Sequence, residues 1–503
     1  RYCITFFVLS KKIMKKMNLL VMSLVSAAAL SFTSCSSNDD LAGDAGQEKV
    51  DGFYMTLSIQ TPKANGTRTS QEKRTTKEAT ADEAKITTGT FYLYDGEKCI
   101  FKKQITEADW QQKTSDKQNT GITKAIKVSV NGVAENHPYH VYFLAGEKTS
   151  NTPIVDEFTG KYTINENDPT SISLDLAKAG SFVMFNQNDA QRHLGGDAAT
   201  VTFKSENKTA TNPAKCENIY LDRAAARIDA PNAANATKIT TGEGDNAPAT
   251  KNLGLVDNIA YQNYAVSNLN TKTNVMQKWD SEYKKFSAPA GTYVLDYDTY
   301  GDKYNNNGSL VNFGSATSTY ILENSTATLN NATALYLCYK ANLTTTSEKD
   351  FEDGTFYRYD GKIYTSLKQI YDDPSVEYPF VNADTGVKVE PAEAVKIIKD
   401  ENGKLRDENT LAAFRQKYNI DVYEQGLMYY RVALDDQSYK FKSTGLYSIL
   451  RNSIYKMNVN AVYDLGRDVP NGPTPDDKKP NYYMQCTVTV NQWVVSEQPV
   501  ELK

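Results

Sequence analysis

Met484-Gln-Cys-Thr-Val-Thr-Val-Asn-Gln-Trp-Val-Val-Ser-Glu-Gln-Pro-Val-Glu-Leu-Lys503 sets the fold class. Met484, Cys486, Val488 and Val490 alternate with Gln485, Thr487, Thr489 and Asn491, the period-two pattern of a strand that buries one face. Trp493, Val494, Val500 and Leu502 carry apolar lettering on towards the end of the segment. Ahead of it lies Pro470-Asn-Gly-Pro-Thr-Pro-Asp-Asp-Lys-Lys-Pro480, whose prolines make a stiff, extended spacer that pairs with nothing. A strand on such a spacer is free to travel. At the other end of the chain Phe53-Tyr-Met-Thr-Leu-Ser-Ile-Gln60 alternates in the same way, with Phe53, Met55, Leu57 and Ile59 on one face. Two such strands raise the question of whether they compete for one groove.

The composition around these runs is that of a mostly β protein. The 503 residues are too many for one ordinary core and imply two or three domains. Tyr (33) outnumbers Phe (18), and Thr, Asn, Val and Ile recur, a bias towards strands and polar connecting loops. Net charge is −5 with both signs interspersed, so there is no footprint for nucleic acid. The six cysteines (Cys3, Cys35, Cys99, Cys216, Cys338, Cys486) include no CxxC pair, and the three histidines (His137, His140, His193) do not cluster with them. No metal or other cofactor is expected.

The N-terminal region reads as an export signal. Met14 or Met17 is the expected initiator, Lys15 and Lys16 form a positive start, and Leu19 to Leu30 an apolar stretch too short to span a membrane. The small residues before Cys35 resemble a bacterial lipobox, in which the cysteine is acylated; the alternative is a plain signal with an incidental cysteine. Ser36-Ser-Asn-Asp-Asp40 resembles the acidic tag that sends lipoproteins to the outer face of the outer membrane. A lipidated terminus of this kind anchors the precursor. Downstream of the first strand, Pro62–Glu78 is polar and flexible, the kind of segment proteases nick first, and Arg68 and Arg74 are its sites for an Arg-specific enzyme.

Further along, Thr90–Tyr94 and Lys98–Lys102 flank Asp95-Gly96-Glu97, a hairpin signal. Ile122–Val133 and Pro138–Gly146 are expected to form a second strand pair, and short strands continue to Phe203. A boundary is expected near Pro213-Ala-Lys215, with Ile219–Asp229 opening a fresh amphipathic strand. The second domain carries strands near 254–267, 291–297, 318–322, 334–341, 427–434 and 448–462, interrupted by an insertion at about 345–425. Two short helices are expected there, Ala392–Lys399 after Pro391 and Thr410–Tyr418. No Gly-rich phosphate loop, GxSxG elbow, HExxH or Cys/His nucleophile pattern occurs, and the pairs Asp372-Asp373 and Asp435-Asp436 read as turns. The chain is read as a non-enzyme.

In order along the chain, several stretches resemble the Bacteroidales-type fimbrillins, the stalk subunits of type V pili, with the major stalk subunit of the short, or minor, fimbriae as the nearest likeness. They are Cys35 in its lipobox; Tyr54-Met-Thr-Leu-Ser58 followed by an arginine loop; Tyr142-Phe-Leu-Ala145; Leu221-Asp-Arg-Ala-Ala-Ala-Arg-Ile228; Tyr320-Ile-Leu-Glu-Asn324; Tyr429-Tyr430; Leu450-Arg-Asn-Ser-Ile-Tyr-Lys-Met-Asn-Val459; and Val488-Thr-Val-Asn-Gln-Trp493. Gln492 stands where Pro is usual, and the insertion and the two-arginine loop depart from the pattern. The resemblance implies an all-β fold of two transthyretin-like β-sandwich domains completed by donor-strand exchange. It implies a leader at 1–35, a propeptide at 36–68 holding a placeholder strand, an N-terminal domain at 69–215 and a C-terminal domain at 216–503. Cleavage after Arg68, or alternatively Arg74, would remove lipid and placeholder together, and a neighbour's strand from about 484–503 would take the slot. The implied partners are further copies of the chain, accessory tip and anchor pilins, an Arg-specific protease and host or bacterial surface receptors. The implied setting is a surface fimbrium serving adhesion, biofilm and host colonisation. A non-polymerising outer-membrane lipoprotein that binds glycans is the alternative.

Overall fold

Both alternating end runs form strands in the computed structural model, which describes residues 52–61, 76–115, 118–146, 161–163, 176–188, 199–240, 250–270, 272–279, 286–287, 293–294, 318–326, 332–344, 348–435, 447–470 and 484–494. The first half holds β1 (Phe53–Gln60), β2 (Thr76–Glu78), the single turn α1 (Ala81–Ala84), β3 (Gly89–Asp95), β4 (Lys98–Ile105), β5 (Trp110–Gln112), β6 (Thr120–Thr123), β7 (Ile126–Val128), β8 (Pro138–Ala145), β9 (Met184–Asn186), β10 (Thr200–Thr202) and β11 (Ala214–Arg223). All of these strands except β2 join one sheet in the order β4-β3-β8-β9-β11-β1-β6-β5, with β10 on β8 and β7 on β1. β11 turns that sheet into a sandwich: residues 214–220 pair with β1, whereas 221–223 pair with β9 in the other layer. The core between the layers brings Phe53 and Leu57 of β1 together with Phe91 and Leu93 of β3 and Val141 and Phe143 of β8.

The hairpin at Asp95-Gly96-Glu97 forms, with Gly96 at φ 57, where a side chain would be strained. The expected pairing of Ile122–Val133 with Pro138–Gly146 does not. β6 and β7 both pair with β1, and β8 pairs with β3. The apolar faces decide this, since Ile126 and Val128 lie opposite Met55 and Phe53 in one layer while Val141 and Phe143 belong to the other. The strand expected over Ile219–Asp229 is divided as well. β11 belongs to the first sandwich, and after a break at Ala224-Ala225 the next strand enters the second. These alanines are 1% and 0% exposed, small enough for the two units to close over them.

The second half holds β12 (Ala226–Ile228), β13 (Val256–Ser267), β14 (Thr319–Ile321), β15 (Ala334–Leu343), β16 (Phe356–Tyr359), β17 (Lys362–Tyr364), α2 (Leu367–Asp372), α3 (Pro391–Ala394), α4 (Glu408–Tyr418), β18 (Asp421–Tyr423), β19 (Leu427–Ala433), β20 (Ser453–Val462) and β21 (Met484–Val494). One layer runs β2-β21-β20-β12-β14 and the other β13-β15-β19. Ile228, Tyr455 and Met457 of the first layer meet Ile259, Leu335, Leu337 and Met428 of the second in a shared core. The protein is therefore an all-β molecule of two sandwich-like units. The long edge strand β13 is broken by bulges between Val256 and Asn258 and between Tyr261 and Asn263, which spoil it as a template for stray pairing.

The insertion builds a module of its own. β17-β16-β18 form a small sheet, and Tyr357, Leu367, Ile370, Phe380, Leu411 and Phe414 a separate core. α3 starts at Pro391 and tightens into a 3-10 turn at Val395–Ile397. α4 is capped by Asp407, whose carboxylate accepts from the Thr410 amide at 3.1 Å, and ends at Asn419 with φ 52. α2, capped by Ser366, is a third helix that periodicity did not reveal. Phe356, Ile363 and Tyr423 reach from the module into the sandwich core, and Asp468 accepts from Arg415 Nε at 2.6 Å and from the Val422 amide at 2.9 Å.

Candidate strand-exchange site

β1 sits inside its layer rather than on its rim. It runs parallel to β11, with Met55 opposite Ala214, Leu57 opposite Cys216 and Ile59 opposite Ile219, and antiparallel to β7 and β6 on its other side. Its burial alternates residue by residue, and Phe53, Met55, Leu57 and Ile59 are 5%, 0%, 0% and 0% exposed. Phe53 stacks at a tilt against Phe203, centroids 5.1 Å apart. The Leu57 amide donates to Thr123 Oγ1 at 3.0 Å, and the Thr61 amide to the Asn119 carbonyl at 2.8 Å. Without β1 the layer would be split into two facing edges over an apolar floor, the arrangement that accepts an added strand. Cys216 lies on the β11 edge, fully buried, and burial pushes its thiol far above the usual range.

The other end run lies against its own chain. β21 pairs antiparallel with β20 from Met484 opposite Val462 to Gln492 opposite Ser453. Within this register Cys486, Val488 and Val490 stand opposite Val459, Met457 and Tyr455. On its other side, among the described residues, β21 has only β2, which runs parallel to residues Gln492, Trp493 and Val494. Cys35, Arg68, Arg74, Val500 and Leu502 lie outside the described residues.

Just past β2, buried charges lock the joint between the units. Thr80 caps α1, its amide donating to Glu83 Oε2 at 2.8 Å. The Glu83 carboxylate also accepts from Arg227 Nη1 at 2.6 and 2.8 Å and from the Tyr320 hydroxyl at 2.8 Å. Burial works to raise the Glu83 pKa, but Arg227, the Thr80 amide and Tyr320 outweigh it and hold the carboxyl below its ordinary value. Arg223 donates to the Glu83 carbonyl at 2.9 Å and to Asn452 Oδ1 at 2.9 Å. Nearby, Arg451 and Glu323, 1% and 0% exposed in their side chains, pair at 2.7 Å. In the sequence Arg223, Arg227, Tyr320, Glu323, Arg451 and Asn452 fall within the stretches that carry the resemblance, whereas Thr80 and Glu83 fall in none. The available signal was arginine set among alanines and aliphatics, where a solvated charge has no reason to be.

Asp372 and Asp373 serve the local structure of the insertion, and Asp436 lies outside the described residues. Asp373 accepts from Lys362 Nζ and the Tyr364 hydroxyl, each at 2.9 Å, and holds the loop at Ser375, while Asp372 pairs with Lys368. Among the described residues no group of three or more His, Cys, Asp or Glu side chains is placed to hold a metal ion.

No curated protein matches the chain in sequence. Similar solved structures include a fimbrilin from Porphyromonas gingivalis, at 13% identity and a TM-score of 0.40, covering 89% of this chain and 100% of that one. A tip fimbrial protein from the same organism has 12% identity and a TM-score of 0.33, with 88% and 100% covered. These overlaps are low, and the two-sandwich architecture stands on the strand pairing described above. Residues 421–499, which contain β19, β20 and β21, match the family model described as major fimbrial subunit protein type IV, fimbrillin, C-terminal. Over these residues the chain is similar to the C-terminal part of fimbrillins.

Proposed function

We propose that the chain is a structural subunit of a surface fimbrium that polymerises by strand exchange. It is exported as a lipoprotein acylated at Cys35, and β1 fills the groove of the first sandwich while the precursor travels as a monomer. An Arg-specific protease cuts after Arg68, or alternatively Arg74, which removes the lipid anchor and β1 in one step. A neighbour's C-terminal strand, Met484 to Leu502, then enters the vacated groove through Met484, Cys486, Val488, Val490, Trp493, Val494, Val500 and Leu502. The contact is head to tail and does not close on itself, so it yields filaments. Tip and anchor pilins would finish the ends, and the fibre would serve adhesion.

The observation that carries this is the place of β1: a strand with four buried apolar side chains in the middle of a layer, followed directly by the polar segment holding both arginines. Each such side chain is worth about 1.5–3 kcal/mol on burial, enough for a second strand of the same pattern to compete for the position. Deleting residues 484–503 should leave monomers that still reach the surface, as counted by electron microscopy and surface labelling. Fibres from that variant would rule out the C-terminal donor. Changing Arg68 and Arg74 together to Ala should trap a lipidated precursor, and unchanged processing would place the cut elsewhere.

A further inference from the structure

The strand that leaves and the strand proposed to arrive are spelled alike. Phe53-Tyr-Met-Thr-Leu-Ser-Ile-Gln60 and Tyr482-Tyr-Met-Gln-Cys-Thr-Val-Thr489 have the same class of residue at every position, with Tyr54 and Met55 matched by the identical Tyr483 and Met484. A slip of two residues, which sets Met484 in the place of Phe53, loses both identities and swaps an aromatic for a thioether. A slip of one turns every side chain to the wrong face. In the matching register the inward positions exchange Phe53 for Tyr482, Met55 for Met484, Leu57 for Cys486 and Ile59 for Val488. Size falls substantially at one of them alone, and that one faces a thiol: Leu57 stands directly opposite Cys216 of β11, and both are 0% exposed.

Resting on the strand exchange proposed above, we infer that the donor enters with Met484 in the position of Met55, and that Cys486 of one subunit then closes a disulfide with Cys216 of the next. Neighbouring strands lie about 4.8 Å apart, inside the roughly 4.4–6.8 Å that a disulfide spans between Cα atoms. The chemistry is thiol–disulfide exchange with a small or protein disulfide as oxidant. The Cys486 thiolate attacks one sulfur of the oxidant and releases one thiol. The Cys216 thiolate then attacks Cys486 Sγ in the mixed disulfide and releases the second thiol. The two protein thiols lose two protons and two electrons, which the oxidant takes up as two thiols. β1 also sets the timing. While it is seated, Cys216 is sealed and held as a thiol by burial; once it is cut away, water reaches the groove and the thiolate becomes accessible. The bond therefore forms during exchange and fixes an otherwise non-covalent joint.

The test processes the full chain with an Arg-specific protease and lets it assemble with oxidised glutathione. Boiled, non-reducing gels should show a ladder of multimers that dithiothreitol collapses to monomer. Cys216→Ala and Cys486→Ala should each abolish the ladder while electron microscopy still finds fibres. Mixing the two variants should give a covalent dimer and no higher rung, because only one joint orientation then carries both thiols. Val488→Cys in the Cys486→Ala background should stay monomeric on the gel; a ladder there would mean the slipped register. Fibres without a ladder in the unaltered chain, or a ladder that persists in Cys216→Ala, overturn the disulfide. No fibres from the unaltered chain would sink strand exchange itself and this bond with it.

Discussion

β1 and β21 share one alternating pattern and are seated differently. β1 has neighbours along both sides, β11 on one and β6 with β7 on the other. Among the described residues β21 has β20 along its length and only the three residues of β2 beyond it. Taking out β1 would split a layer, whereas taking out β21 would shorten one. A strand set inside a layer and a strand paired mainly along one side are what the proposed exchange between copies needs.

The contrast is broken most severely at the centre of the slot. Leu57→Asp would place a charge among fully buried apolar neighbours, and the first sandwich should lose several kcal/mol, enough to leave little folded precursor by circular dichroism. Ser58→Asp, on the half-buried face of the same strand, should cost under about 1 kcal/mol in a denaturant titration, and equal losses would deny the alternation.

Next in size is the joint. Arg227→Leu strands the Glu83 carboxylate, and the loss should be about 3–5 kcal/mol. The same pair sets a pH dependence. A carboxyl held below its unfolded pKa adds stability that is present above that pKa and lost as pH falls through the folded value. The joint should therefore weaken below about pH 4.5, and the acid limb should flatten in Glu83→Gln. The smallest effect sharpens the comparison at the rim. At Gln492 β21 has neighbours on both sides, Ser453 and Thr76, so Gln492→Pro should cost about 1 kcal/mol and speed hydrogen exchange at residues 492–494. Unchanged exchange there would mean that β2 does not hold the strand.

Where alternation was strict, the sequence was legible. Phe53–Gln60 forms a strand because apolar letters at every second place can be buried only one way, whereas Ala334–Leu343 is a nearly continuous apolar run, buried at every position from Ala334 to Tyr339. Partners were harder to see, because a strand's pattern tells that a face is buried but not against what. Ile126 and Val128 found Met55 and Phe53, more than seventy residues earlier, rather than the next strand along. Buried arginines were invisible for a related reason: Arg223, Arg227 and Arg451 carry the letter of a surface residue, and their respective partners Asn452, Glu83 and Glu323 are far away in the chain. α2 has too few turns for a periodic signal, and its Ser366 cap is a local cue easily passed over.

The insertion leaves and rejoins the chain between two strands that lie side by side, β15 and β19, and it is riveted at its base by Arg415 on Asp468 and by Phe356, Ile363 and Tyr423. A pull on that outboard module would not swing a hinge. It would pass as tension into β15 and β19 together, drawing both strands in the same direction against the rest of the second sandwich.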